Sequence, residues 1–154
     1  MSTLSAAIPD VRQRAGAARL QSWHMQTADA EWDAPTGRQV RTIVGPDAAV
    51  ELCAEIEAQG ADHLLVSFTT PTGVFLAIGL GAPDSCVVYW ESADPPYFQS
   101  RGAATDPSAV TYYFGGQASE LPCSVRIDRE SAFWALAEYM RTGRRPQTIS
   151  WDVT

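Results

Sequence analysis

Three apolar runs with very little chain between them restrict this 154-residue sequence more than any other feature. Leu64 to Thr69, Val74 to Leu80 and Cys86 to Trp90 each have strand length and are rich in β-branched and aromatic residues. Pro71-Thr72-Gly73 separates the first two, and Gly81-Ala82-Pro83-Asp84 separates the second from the third. Parallel neighbours need a crossover of about a dozen residues or more. Connections this short therefore predict an antiparallel meander.

The flanking segments extend that meander. Gln39 to Val44 alternates Val40, Thr42 and Val44 against Arg41 and Ile43, which predicts a first strand. Pro46 presets the first turn of a helix and Asp47 and Glu51 suit its positive end, with Gly60 as the stop. Val110 to Phe114 is expected as a fourth meander strand and Cys123 to Ile127 as a fifth. Asp128 is placed to cap a second helix from Arg129 to Arg141, in which Phe133, Leu136, Ala137 and Met140 share a face with Trp134 at its margin. Gly143 closes that helix, Pro146 blocks its continuation, and Gln147 to Trp151 is expected as the last strand. The order predicts an α+β fold: a mostly antiparallel sheet of about six to seven strands with two helices packed on one face. Glu91 to Ala109 contains three Pro and is expected as a long irregular loop. Residues 1–37 are expected to form a partly ordered N-terminal extension packing Trp23 or Trp32 onto the domain of residues 38–154.

Composition narrows the function. A hydrophobic content of 45% and a charged content of 19% suit a single globular domain able to bury a core unaided. No apolar run reaches the roughly 18 residues of a membrane-spanning helix, and the N-terminus shows no apolar stretch after a basic start, so a cytoplasmic protein is expected. Cys53, Cys86 and Cys123 are odd in number and form no C-x-x-C pair, which predicts buried, reduced thiols. The net charge of −7 is uneven: residues 1–37 hold three Arg and four acids, residues 38–125 three Arg and ten acids, residues 126–154 five Arg and four acids. Such a surface repels nucleic acid phosphates and attracts basic partners, and the alternative is that it simply aids solubility.

Catalytic chemistry is hard to find. His63 lies at a helix-to-strand junction and His24 beside Trp23, and neither has a nucleophile or carboxylate partner set by a motif. No H-x-E or C-x-x-C unit supports a metal site, and Gly79-Leu80-Gly81 and Gly115-Gly116 lack the context of a phosphate loop, so no cofactor is expected. Glu120 follows a Gly-Gly turn with aromatic residues just upstream, where a carboxylate can pair with a partner's Arg. Tyr112 and Tyr113 must face opposite sides of their strand, one toward the core and one available for contact.

From Asp62 to Trp151 the chain resembles the immunity proteins of bacterial polymorphic toxin systems, the first family of the Imm series. The resemblance rests on Leu65-Val66-Ser67-Phe68 with Gly73, Leu76-Ala77-Ile78-Gly79, Asp84-Ser85 before Val88-Tyr89-Trp90, and Tyr113-Phe114-Gly115 with Glu120 and Pro122. It continues through Ala132 to Tyr139 and Thr142-Gly143-Arg144-Arg145-Pro146 with Trp151. It implies a non-enzymatic antidote that binds a cognate toxin, often one acting on nucleic acid, with deaminases prominent. On that reading Asp84, Glu91, Asp94 and Glu120 supply charge, and Trp90, Tyr97 and Tyr113 supply apolar anchors, toward a toxin with a basic active-site surface. The free protein is expected to be a monomer or weak dimer. Two alternatives stay open: a small ligand-binding or enzymatic domain using His63, and a subunit pairing through an exposed sheet edge.

Overall fold

The computed structural model describes residues 26–83 and 85–154. Trp23, His24 and Asp84 lie outside the described residues. The meander of the three apolar runs is present as β3 (Leu64–Thr69), β4 (Phe75–Leu80) and β5 (Val88–Glu91), paired antiparallel in sequence order. Upstream, β1 (Thr27–Ala34) and β2 (Gly37–Val44) form a hairpin whose first strand pairs β3. Downstream, β6 (Phe98–Ser100) pairs β5, and β9 (Trp151–Val153) closes that side on β6. The order across the sheet is β2-β1-β3-β4-β5-β6-β9, and β7 (Ala109–Phe114) and β8 (Gln117–Pro122) form a hairpin that joins it through β3. The fold is α+β as expected, with nine strands among the described residues in place of six to seven.

Two helices cover one face. Helix α1 (Pro46–Ala58) buries Ala49, Leu52, Cys53 and Ile56, and α2 (Arg129–Thr142) buries Ala132, Ala135, Leu136, Tyr139 and Met140. The Asp128 carboxylate accepts a 2.8 Å hydrogen bond from the Ser131 N–H, and Gly143 ends α2 in the left-handed region at φ 67°. Tyr139 ties α2 to the sheet: its hydroxyl lies 2.9 Å from the Phe68 carbonyl and 2.8 Å from that of Val74. Side chains alternate across a strand, so Ala28, Ala30, Trp32, Val66, Phe68, Leu76, Ile78, Leu80 and Val88 meet the helices in one core.

Five local expectations need correction. Glu91 to Ala109, expected as one long irregular loop, holds β6 and the ends of β5 and β7, because Phe98 to Ser100 find partners in β5 and the distant β9. The end of the expected N-terminal extension is an inner strand: Ala28, Ala30 and Trp32 are buried against the helices, and small Ala side chains disguise the strand because they carry little apolar signal. The expected strand from Cys123 to Ile127 is a short 3-10 turn over Cys123–Val125, and the strand lies earlier as β8. Gly115 and Gly116, at φ 61° and 75°, form a two-residue turn of the kind that closes a tight hairpin. That turn pairs polar Gln117 to Glu120 with β7 despite their weak strand character. In α2 the buried stripe runs through Ala132, Ala135, Leu136, Tyr139 and Met140, with Phe133 half-buried and Trp134 56% exposed. The last strand begins at Trp151 because the chain from Pro146 turns back, its Pro146 carbonyl accepting from the Trp151 indole N–H at 2.7 Å.

Candidate functional site

The opposite face of the sheet is where charge gathers. On β1 the residues between the buried ones are Asp29, Glu31 and Asp33, so three carboxylates point away from the helices. Strand register carries that row across the sheet: Asp29 lies beside Thr69, Thr69 beside Phe75, and Phe75 beside Glu91. The next row runs from Glu31 through Ser67, Ala77, Tyr89 and Gln99 to Asp152. Among the described residues, five carboxylates (Asp29, Glu31, Asp33, Glu91 and Asp152) therefore share this face with two guanidinium groups. Arg38 lies 2.6 Å from Glu31 and Arg101 lies 3.4 Å from Asp152. Thr42 donates to Asp29 at 3.0 Å. Among the described residues Glu91 has no ion-pair partner, and its neighbours Phe75 and Tyr89 are only half-buried.

The β7–β8 hairpin overhangs one end of this face. Its inner side chains Val110, Tyr112 and Leu121 pack with Leu65, Val87 and Val125 in a second apolar cluster. Gly79 makes the close approach possible, since a Cβ there would lie 2.5 Å from the Tyr112 ring and 2.6 Å from Val87. At the tip, the Gly116 N–H donates to Asp33 at 2.9 Å, and along the strand the Tyr113 N–H donates to the His63 carbonyl at 2.8 Å. Between hairpin and sheet remains a recess of about 280 Å3 lined by Leu65, Phe75, Ala77, Tyr89, Glu91, Phe114, Ser119 and Leu121. Burial pushes the Tyr89 phenol up to about 12, and its hydroxyl has no hydrogen-bond partner among the described residues.

The sequence-selected residues are distributed over several surfaces. Glu91 lies on the acidic face. Asp94 is exposed and Tyr97 half-buried in the loop from β5 to β6, where the Asp94 carbonyl accepts from the Ser92 hydroxyl at 3.0 Å. Trp90 points the other way, packed on the helix-side core with its ring 6.0 Å from that of Phe98. Tyr113 and Glu120 come together on the outer side of the hairpin, since Tyr113 pairs with Ala118 and Glu120 with Thr111. Tyr112 is fully buried and Tyr113 is 50% exposed, the division expected of that pair. Asp29, Glu31, Phe75 and Tyr89 were missed. The alternation Ala28-Asp29-Ala30-Glu31-Trp32-Asp33-Ala34 held the signal for the first two.

His63 sits in a depression of about 460 Å3 with Asp62, Thr111, Tyr113, Cys123 and Arg126. Its Nδ1 is 2.7 Å from Asp62 Oδ1, its ring is 5.3 Å from that of Tyr112, and its φ of 48° is unusual for a side-chain-bearing residue. That conformation swings the chain into β3 and aims the His63 carbonyl at the hairpin. All three cysteines are buried and free, as the sequence suggested. Burial pushes the Cys86 thiol up to about 12 and that of Cys53 higher still, so neither is an activated nucleophile. Among the described residues no cluster of His, Cys, Asp and Glu could hold a metal ion, and no helix is long and apolar enough to cross a membrane.

Among the described residues the α+β domain thus presents an acidic sheet face that also bears the half-buried rings of Phe75 and Tyr89. The chain matches the family described as Immunity protein Imm1 over residues 4–152, and it belongs to that family. The match reaches well beyond the Asp62–Trp151 segment that carried the resemblance and takes in β1 and β2. Membership makes it an immunity protein, a class that neutralises a cognate toxin. No curated protein matches the chain.

Proposed function

We propose that this immunity protein neutralises a nucleic-acid-targeting toxin, a deaminase or nuclease, by laying its open sheet face over the toxin's basic active-site surface. One observation supports the reading above others: among the described residues, five carboxylates stand against two guanidiniums on a face whose other half-exposed residues include Phe75 and Tyr89. A groove built to hold phosphates is rich in Lys and Arg, and an acidic face of complementary sign accelerates encounter and occludes substrate. Glu91 contributes from the face itself, Asp94 and Tyr97 from the adjoining loop, and Tyr113 and Glu120 from the outer side of the hairpin. Trp90 supports this surface from beneath. Asp84 joins the set on sequence grounds alone. Binding is non-catalytic, takes place in the cytoplasm, and engages a free protein that is a monomer or weak dimer.

Co-expression with the toxin domain encoded beside this chain tests the reading by growth rescue and co-purification. The double variant Asp29→Lys/Glu31→Lys should weaken toxin binding by on the order of 100-fold or more, mostly in low salt and through slower association. Charge reversal at Glu51 and Glu130, on the helices, should leave binding within about threefold, as expected of charges outside an interface. Full rescue by the double variant, or loss of binding on helix-side reversal, rejects this face. The depression holding Asp62, His63 and Arg126 favours a second reading, a small-ligand site. Loss of rescue in His63→Gln, with toxin affinity retained, would move the assignment there.

A further inference from the structure

The recess beneath the hairpin has a composition that selects its occupant. Three aromatic rings (Phe75, Tyr89 and Phe114) line it, Glu91 supplies a carboxylate, and Ser119 and Leu121 form its roof. The strand register explains why it is open. Ala77 stands between Ser67 and Tyr89 in its row, so the floor is a methyl group flanked by larger side chains. Among the described residues no Arg lines it: Arg38, Arg41, Arg101 and Arg129 are paired with Glu31, Glu55, Asp152 and Glu57, and Arg145 lies over Phe98. The Glu91 carboxylate and Tyr89 hydroxyl lack partners among the described residues.

From this geometry we infer that the recess is a socket for one arginine side chain of the bound toxin. The inference rests on the reading of the open face as the toxin-binding surface. A guanidinium stacks on aromatic faces while its N–H groups reach a carboxylate, and it is more weakly hydrated than an ammonium, so it enters a partly apolar recess more readily than a lysine does. Glu91 accepts from the guanidinium fork, and the rings of Phe75, Tyr89 and Phe114 supply the stacking faces.

Three probes on the full chain test the socket: acetyl-arginine-amide, acetyl-lysine-amide and acetyl-leucine-amide, titrated while ring signals of Phe75, Tyr89 and Phe114 are followed by NMR. The arginine derivative should shift all three rings saturably at millimolar concentration, and Glu91→Gln and Ser119→Phe should abolish the shift. In parallel, toxin affinity should fall on the order of 30-fold in Glu91→Gln, the loss expected when one partner of a desolvated charge pair is removed. It should fall comparably in Ser119→Phe, which fills the recess from the roof without touching the floor. Preference for the leucine derivative, or equal response to lysine, overturns the socket. If toxin binding survives both recess variants but is lost in Asp29→Lys/Glu31→Lys, the socket fails while the face reading stands. If all these variants bind normally, both fail.

Discussion

Two fully buried tyrosines give the sharpest test of the packing, because they share a side chain and differ only in what the hydroxyl meets. Tyr139 places its hydroxyl 2.9 Å from the Phe68 carbonyl and 2.8 Å from the Val74 carbonyl, tying α2 to the β3–β4 turn. Tyr112 is equally buried under the hairpin, but its hydroxyl has no partner among the described residues. Replacing either by Phe keeps the ring and its buried area. Tyr139→Phe removes a net hydrogen bond and leaves two carbonyls less well satisfied, a loss of about 1–2 kcal/mol. For a chain of this size that lowers Tm by roughly 2–8 °C. Tyr112→Phe removes a hydroxyl whose burial is uncompensated, so its effect lies between zero and about 1 kcal/mol of stabilisation. Urea unfolding followed by fluorescence and circular dichroism measures both, with unchanged m values confirming an unchanged transition. Equal destabilisation by the two substitutions would refute the reasoning, since the hydroxyls would then be in equivalent environments.

Three further outcomes follow from the same structure. Gly79→Ala should destabilise by about 1–3 kcal/mol through overpacking; combining it with Tyr112→Leu should recover part of the loss, and strictly additive losses in denaturant would refute the contact. Asp128→Ala should cost about 1 kcal/mol at neutral pH. Hydrogen bonds from the Ser131 N–H and hydroxyl hold the Asp128 carboxyl below its ordinary value. Its stabilisation is thus present above the unfolded value and is lost as pH falls through the lowered folded one. The gap between wild type and variant should therefore close below about pH 4, and a gap that persists there would refute the cap. Finally, Ellman's reagent should react with none of Cys53, Cys86 and Cys123 in the folded protein and with all three after unfolding; one rapidly labelled thiol in the native state would contradict their burial.

The elements legible in the sequence are those whose signal is local. The meander from Leu64 to Trp90 announced itself through apolar runs and short turns, and the Asp128 cap and Gly143 stop of α2 through residue types that few other positions demand. The illegible elements depend on partners distant in sequence. Nothing in Gln117 to Glu120 favours a strand until the Gly115-Gly116 turn folds them back on β7. The stripe of α2 was misassigned because two adjacent aromatic residues, Phe133 and Trp134, outweighed Ala132 and Ala135, which are buried because α2 approaches its neighbours closely there. Of the candidate site, Glu91 and the Tyr112/Tyr113 division were legible, the one as a carboxylate at a strand end and the other through strand alternation. The recess stayed hidden, because its lining comes from five strands whose register no local pattern encodes.

Charge shows the same principle acting on function. Counted along the chain, the acidic excess falls between residues 38 and 125, but four of those ten acids (Asp47, Glu51, Glu55 and Glu57) lie on α1. Glu55 is engaged by Arg41 and Glu57 by Arg129, so half of that helix's charge is answered within the protein. The segment before residue 38 is nearly neutral in sum because Arg12, Arg14 and Arg19 offset three of its four acids. Three of those acids are Asp29, Glu31 and Asp33, which alternation along β1 delivers to a single face and register aligns with Glu91 and Asp152. A period of two residues thus converts an unremarkable stretch into the edge of an anionic surface, and the field over that face is set by strand geometry more than by composition.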